Sequence, residues 1–249
     1  MSDRGLLISC EELRAIADDT CVRIVDCRFS LDDPEAGHAQ YLAGHLPNAV
    51  FADLDKDLAA PVTAGTGRHP LPAPEEFART LGRLGISNST RVIAYDQAGG
   101  ALASRLWWMM RWAGHEDASI LDGGISRWQS LGLPLESGQE KPGPSTFDVT
   151  PDEQRVLQTS EIVAAATDAR KLRLVDAREA TRFLGEAEPI DPVAGRIPGA
   201  LNAPFVTNLR EDGTWKAASE LREQWKDVLG GDLSSPWSVM CGSGVRGLI

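Results

Sequence analysis

A chain of 249 residues is long enough for one large domain or two ordinary ones, each with its own core. Its 42% hydrophobic and 24% charged residues are those of a globular protein, and no apolar run approaches the ~20 residues of a membrane span. The net charge of −11 opposes binding to phosphate backbones, which argues against a nucleic-acid partner. The N-terminus, Met1-Ser2-Asp3-Arg4-Gly5, runs into a helix cap rather than a basic segment with an apolar core, which predicts no secretion signal and a cytoplasmic protein. Cysteines at 10, 21, 27 and 241 form no Cys-x-x-Cys pair and have no histidine cluster at zinc spacing, so neither a disulfide framework nor a metal site is predicted.

In chain order, Ser9-Cys10-Glu11-Glu12-Leu13 predicts a capped helix, and Arg23-Ile24-Val25-Asp26-Cys27-Arg28 a short apolar strand ending in Asp-x-Arg. A turn, Gly44-His45-Leu46-Pro47-Asn48-Ala49, comes next. Helical stretches at 74–84 and 101–112 flank a strand at Arg91-Val92-Ile93-Ala94-Tyr95-Asp96. A further strand, Ala118-Ser119-Ile120-Leu121, leads into Asp122-Gly123-Gly124-Ile125-Ser126-Arg127-Trp128.

The series then restarts. Thr159-Ser160-Glu161-Ile162 predicts a second capped helix 150 residues after the first, and Arg173-Leu174-Val175-Asp176-Ala177-Arg178 repeats the Asp-x-Arg strand at the same offset. Gly195-Arg196-Ile197-Pro198-Gly199-Ala200 repeats the turn at an offset of 151, and Trp237-Ser238-Val239-Met240-Cys241 repeats the strand at 91–96 at an offset of 145. Cys241 therefore stands where the first copy has Asp96. The chain is a duplication of one α/β unit with a mainly parallel sheet. The polar, Pro- and Gly-rich stretch at 136–145 reads as a linker, giving domains at 1–141 and 142–249. The second copy has no counterpart of the helix, the strand and the 122–128 segment that follow Asp96 in the first copy.

Cys241 opens Cys241-Gly242-Ser243-Gly244-Val245-Arg246 at the tip of an apolar strand. Small residues after a thiol let backbone N–H groups turn inward around a thiolate or persulfide. A free thiol titrates near ~8.5, so reactivity at neutral pH needs such donors, and Gly242 and Gly244 allow the backbone directions required. The bland reading of Cys241, which is also the one given to Cys10, Cys21 and Cys27, is a small buried hydrophobe. No dinucleotide or P-loop glycine pattern is present, so no cofactor is predicted.

With the duplication, the two Asp-x-Arg strands, the Gly-x-x-Pro-x-Ala turns, Leu121-Asp122-Gly123-Gly124 with Trp128, and the Cys-Gly-Ser-Gly-Val loop, nearly the whole chain resembles the tandem-domain rhodanese sulfurtransferases. The resemblance implies two tandem rhodanese-like domains, an N-terminal one without a catalytic cysteine and a C-terminal one with it, and an active site in the cleft between them. It implies that Cys241 takes sulfane sulfur from a small-molecule donor as a persulfide and passes it to cyanide, a thiol or thioredoxin. The loop Cys241 to Val245 is similar to that of 3-mercaptopyruvate sulfurtransferases, with thiosulfate as the alternative donor. Arg182 matches the arginine that grips the donor's anionic end, and Gly242, Gly244, Val245 and Arg246 are the remaining loop positions expected at the substrate. Ser243, His69 and Asp55 match a Ser/His/Asp relay. Asp191 stands where mercaptopyruvate enzymes usually carry a second arginine, and an acidic residue there is seen in thiosulfate-type members.

Taken as the whole chain, it lacks the helix after the loop and the last strand of the second domain. On that basis it is expected to be poorly stable and weakly active, with an inactive remnant or a non-enzymatic persulfide carrier as the alternative. A phosphatase built on the same fold needs Cys-x5-Arg, whereas Cys241 to Arg246 is Cys-x4-Arg.

Overall fold

The computed structural model describes residues 5–166 and 173–245. A five-stranded sheet is formed by β1 (Leu7–Ile8), β2 (Val22–Asp26), β3 (Val50–Phe51), β4 (Arg91–Tyr95) and β5 (Ala118–Leu121), in the order β1-β5-β4-β2-β3. Every pairing is parallel, as crossover connections through helices require. Successive residues of the central strands feed opposite faces. Val25, Val92 and Ala94 pack with Phe77 and Leu81 of α3 (Pro74–Arg83) and with Leu106 and Met109 of α4 (Ala103–Trp112). Ile24, Ile93 and Tyr95 pack on the other face with Leu13 of α1 (Cys10–Ile16) and Trp128 of α5 (Gly124–Ser130). Burial on both faces is why these strands are apolar runs rather than alternating ones.

The second sheet has three strands among the described residues, β6 (Arg173–Asp176), β7 (Leu201–Asn202) and β8 (Trp237–Met240), all parallel and in the order β7-β6-β8. That order repeats β3-β2-β4. The registers repeat as well, since Asp26 pairs with Tyr95 and Asp176 with Met240. The α/β fold with parallel sheets is therefore as expected. Its helices are α6 (Thr159–Ala166), α7 (Ala180–Leu184) and α8 (Ala218–Val228), and a smaller core gathers around Val175, Ala203 and Leu229.

Local details follow the sequence closely. Ser9 and Glu12 form a complete capping box on α1. In the second copy the helix already includes Thr159. Glu161 there accepts from the N–H of Gln158 at 2.7 Å, so the capping position lies one residue earlier than the sequence suggested. Each Asp-x-Arg pair is bidentate, and the arginine also donates to the first carbonyl of the following turn, Arg28 to Gly44 and Arg178 to Gly195, both at 2.7 Å. The segment after the linker stays on the first domain, with Phe147 in its core and Thr150 and Asp152 donating to the carbonyls of Ala113 and Trp112.

Asp96 ends β4 and organises the loop behind it. Its Oδ1 accepts from the N–H groups of Ala98 and Gly100 at 2.7 and 2.9 Å, and its Oδ2 from those of Leu102 and Ala103 at 2.6 and 2.8 Å. The loop is thus a backbone nest closed around a carboxylate. Gly124, at φ 54°, lies against the Asp96 carbonyl so closely that a Cβ would overlap it. Asp96→Ala leaves four donors without their acceptor and is expected to cost about 3 kcal/mol or more, read as a lower urea midpoint, with a smaller loss for Asp96→Asn.

Candidate active site

The shared register places Cys241 directly after β8, as Asp96 is placed after β4. The backbone N–H of Val245 donates to Cys241 Sγ at 3.2 Å, spanning the same four residues as the Gly100 bond to Asp96. Gly244 turns the loop at φ 69°. Of the four N–H groups that close on the Asp96 carboxylate, the one from Gly100 has its counterpart here in the Val245 N–H on the thiol. Cys241 is half-buried.

The loop opens into a cavity of about 170 Å³ between the two domains. Cys241, Gly242, Ser243 and Val245 line it from the second domain, and Arg68, His69 and Leu102 from the first. Gly244 does not line it and shapes the loop instead. Arg246 lies outside the described residues. Val245 is buried in the first domain's core cluster, which ties the loop's end to that domain.

Arg182, on α7, also lines the cavity. Its guanidinium donates to Glu188 at 3.0 Å and to Asp191 at 2.8 Å. Arg68 pairs with the other oxygen of Asp191, so one carboxylate bridges an arginine from each domain. A Cβ at Gly242 would sit 2.7 Å from Arg68 Nη2, 3.1 Å from Asp191 Oδ2 and 3.3 Å from Arg182 Nη2, which places this cluster beside the thiol loop. Burial lowers the pKa of Arg68 and Arg182 adds to that, while Cys241 and Glu188 act in the opposite sense. Hydrogen bonding from Arg182 holds the Glu188 carboxyl below its ordinary value.

His69 Nε2 lies 3.1 Å from Asp55 Oδ1, so the structure brings together two members of the expected relay. Ser243 lines the same cavity as His69, with no hydrogen bond between them among the described residues. Burial pushes the His69 imidazole below its usual value. Asp55 opposes the shift, and Arg105 and Arg68 add to it.

Besides Arg68 and Glu188, which were not among the sequence-based candidates, two further such groups reach the loop from α4. Ser104 Oγ donates to the Val245 carbonyl at 3.1 Å, and Arg105 Nη1 donates to the Gly244 carbonyl at 3.0 Å. Both belong to α4, so the first domain holds the second domain's loop. The available signal was a charged residue set directly before the apolar run Leu106-Trp107-Trp108-Met109-Met110. In the reverse direction, Trp215 donates through its backbone N–H to Asp122 at 2.9 Å and through Nε1 to the Gly99 carbonyl at 3.1 Å, covering the Asp96 loop. Among the described residues the one histidine–carboxylate group with metal-like spacing is His45, Glu136 and Glu140, and none of the three lines the cavity.

Two parallel α/β units of one topology thus meet at a cavity lined by a half-buried thiol that accepts a backbone N–H, and this architecture can be compared with known proteins. Residues 9–131 match the model of the rhodanese-like domain. The chain is 41% identical over 241 residues to "Probable 3-mercaptopyruvate sulfurtransferase" of Pseudomonas aeruginosa, covering 96% of this chain and 84% of that protein. It is 35% identical to the thiosulfate sulfurtransferase of Bos taurus, over 94% of this chain and 79% of that one. The crystal structure of SseA from Escherichia coli, described as having the rhodanese fold of 3-mercaptopyruvate sulfotransferases, superposes with a TM-score of 0.85 at 33% identity, covering 98% of this chain and 91% of that one. The chain belongs to the rhodanese-fold sulfurtransferases, the family of the 3-mercaptopyruvate and thiosulfate enzymes. No helix among the described residues is long and apolar enough to cross a membrane.

The lowered His69 value has a defined consequence for stability. Below the ordinary imidazole value of ~6.5 the unfolded chain takes up a proton that the folded protein resists, so stability falls as pH drops through the folded value. His69→Gln should narrow the gap in urea midpoint between about pH 7.5 and about pH 5. His115, also lowered by burial, leaves a residual slope.

Proposed function

We propose that this sulfurtransferase moves sulfane sulfur from 3-mercaptopyruvate through a Cys241 persulfide, with residues 142–249 as the catalytic domain and 1–141 as the domain that completes its site. The observation that carries this reading is the Val245 N–H on Cys241 Sγ at the floor of a cavity bordered by Arg182 and Arg68. The thiolate attacks the donor's sulfur, an S–S bond forms, and the C–S bond breaks with its electron pair going to the pyruvate enolate. The donor thiol's proton passes to the enolate carbon, leaving the persulfide anion and pyruvate. Ser243, His69 and Asp55 are assigned to that proton movement, because the uncharged imidazole that burial favours can both accept and return a proton. Cyanide then attacks the outer sulfur, releasing thiocyanate and restoring the thiolate. A thiol or thioredoxin accepts the same sulfur as a persulfide.

Gly242, Ser243, Gly244 and Val245 shape the cradle, and Arg182 receives the donor's anionic end as a guanidinium fork suits. A second donor reading rests on Asp191. Its carboxylate already holds both Arg182 and Arg68, so any donor anion competes with it, and thiosulfate competes with more charge than a monocarboxylate. In that case the S–S bond of thiosulfate breaks and sulfite leaves. Four free cysteines and the absence of a disulfide among the described residues suit the cytoplasm, where this reading places the protein.

The test is sulfur transfer to cyanide with both donors side by side. Cys241→Ser is expected to abolish transfer and the persulfide mass on the Cys241 peptide, and transfer that survives the substitution would overturn the assignment. Asp191→Asn should lower KM about tenfold, equivalent to about 1.4 kcal/mol, with kcat little changed. An unchanged KM for both donors would show that Asp191 does not compete for the anion site.

A further inference from the structure

Four arginines surround the Cys241 loop, and their partners differ in kind. Arg178 is bonded to Asp176 and Glu188, Arg182 to Glu188 and Asp191, and Arg68 to Asp191. Those three cations are therefore matched by three carboxylates. Arg105 is not. Among the described residues it bonds only to backbone carbonyls: Leu58 at 3.2 and 3.0 Å, His69 at 3.2 Å, Pro70 at 3.4 Å and Gly244 at 3.0 Å. It is 4% exposed. A buried guanidinium without a counter-ion is costly, and neutral carbonyls offset only part of that cost.

Among the described residues no other carboxylate bonds to it: Asp55 is paired with His69, Asp96 is saturated by its own loop's N–H groups, and Glu179 lines the cavity from an exposed position. Through Gly244, Arg105 is fixed to the loop that carries the Cys241 sulfur, and negative charge on that sulfur opposes the burial that has pushed the guanidinium down to about 10. Electrostatic interaction is mutual, so a cation stabilised by the thiolate stabilises the thiolate in turn.

We propose that Arg105, from the domain without the catalytic cysteine, is a positioning residue that fixes the Cys241 loop through Gly244 and supplies the uncompensated positive charge favouring the thiolate and its persulfide. This rests on Cys241 being the sulfur-carrying residue. It gives the first domain a specific electrostatic part in the chemistry beyond closing the cavity. Ser104 beside it fixes the loop through Val245 without charge, and so provides an internal comparison.

The experiment is iodoacetamide alkylation of Cys241 across pH, followed on its own peptide by mass spectrometry. Cys10 and Cys27 are buried, with thiols pushed above their usual value by burial, and Cys21 is read on a separate peptide. Arg105→Gln keeps hydrogen-bond donors but removes the charge. It is expected to slow alkylation at neutral pH about tenfold and to move the profile upward by about one pH unit. Arg105→Lys should remain within about twofold of the parent, and Ser104→Ala should leave the profile in place. Equal profiles for the Gln and Lys variants, or a Ser104→Ala shift as large as that of Arg105→Gln, would overturn the proposal. If Arg105→Gln does not fold, the Lys variant decides, since a tenfold displacement with the charge retained has the same consequence. Sulfur transfer is assayed in parallel. An Arg105-dependent alkylation profile in a chain that transfers no sulfur would refute the functional reading and leave the electrostatic one standing.

Discussion

Each domain's strand-tip loop is closed by the other domain, and the site depends on this exchange. The Asp96 loop of the first copy receives Trp215 on its Gly99 carbonyl, while the Cys241 loop of the second copy receives Ser104 and Arg105 on its Val245 and Gly244 carbonyls. Phe205, Trp215 and Ala101 form a small apolar cluster at the same boundary, and Val245 enters the first domain's core. Because a loop of small residues has few side chains to pack, its carbonyls need partners from outside. The duplicated partner supplies them.

The two loops also demonstrate how one backbone geometry serves two ends. Asp96 saturates its nest with its own carboxylate, which closes the first copy's loop on itself. Cys241 places a smaller, polarisable atom at the equivalent point, on the wall of the cavity between the domains. Around that atom, Arg68, Arg178 and Arg182 are held in fixed positions by carboxylates, so they orient without adding much net field. Arg105 differs because its partners are neutral.

Much of this was legible in the sequence. The central strands of the first sheet were apolar runs because both its faces are covered, and the equivalence of Asp96 and Cys241 followed from offsets that the strand registers reproduce. The Asp-x-Arg pairs were readable because both partners lie two residues apart and close their bonds locally. The pairing of His69 with Asp55 was reached through family resemblance, since nothing in their spacing brings them together. Arg105 was marked only by its place directly before an apolar run, and the partners of Ser104, Arg105 and Trp215 were not legible. Their partners lie 141, 139 and 116 residues away, and the contacts are to backbone carbonyls, which carry no residue identity.

The sequence by itself determined the duplication, the α/β class, and the placement of a thiol at the tip of one strand and a carboxylate at the tip of its counterpart. These are local patterns repeated along the chain, and hydrophobic periodicity and turn chemistry record them directly. Only the tertiary structure decided which side chains face that thiol, because packing the two domains together sets which buried charges are paired. It joined Asp191 to arginines from both domains, and it left Arg105 with carbonyls alone.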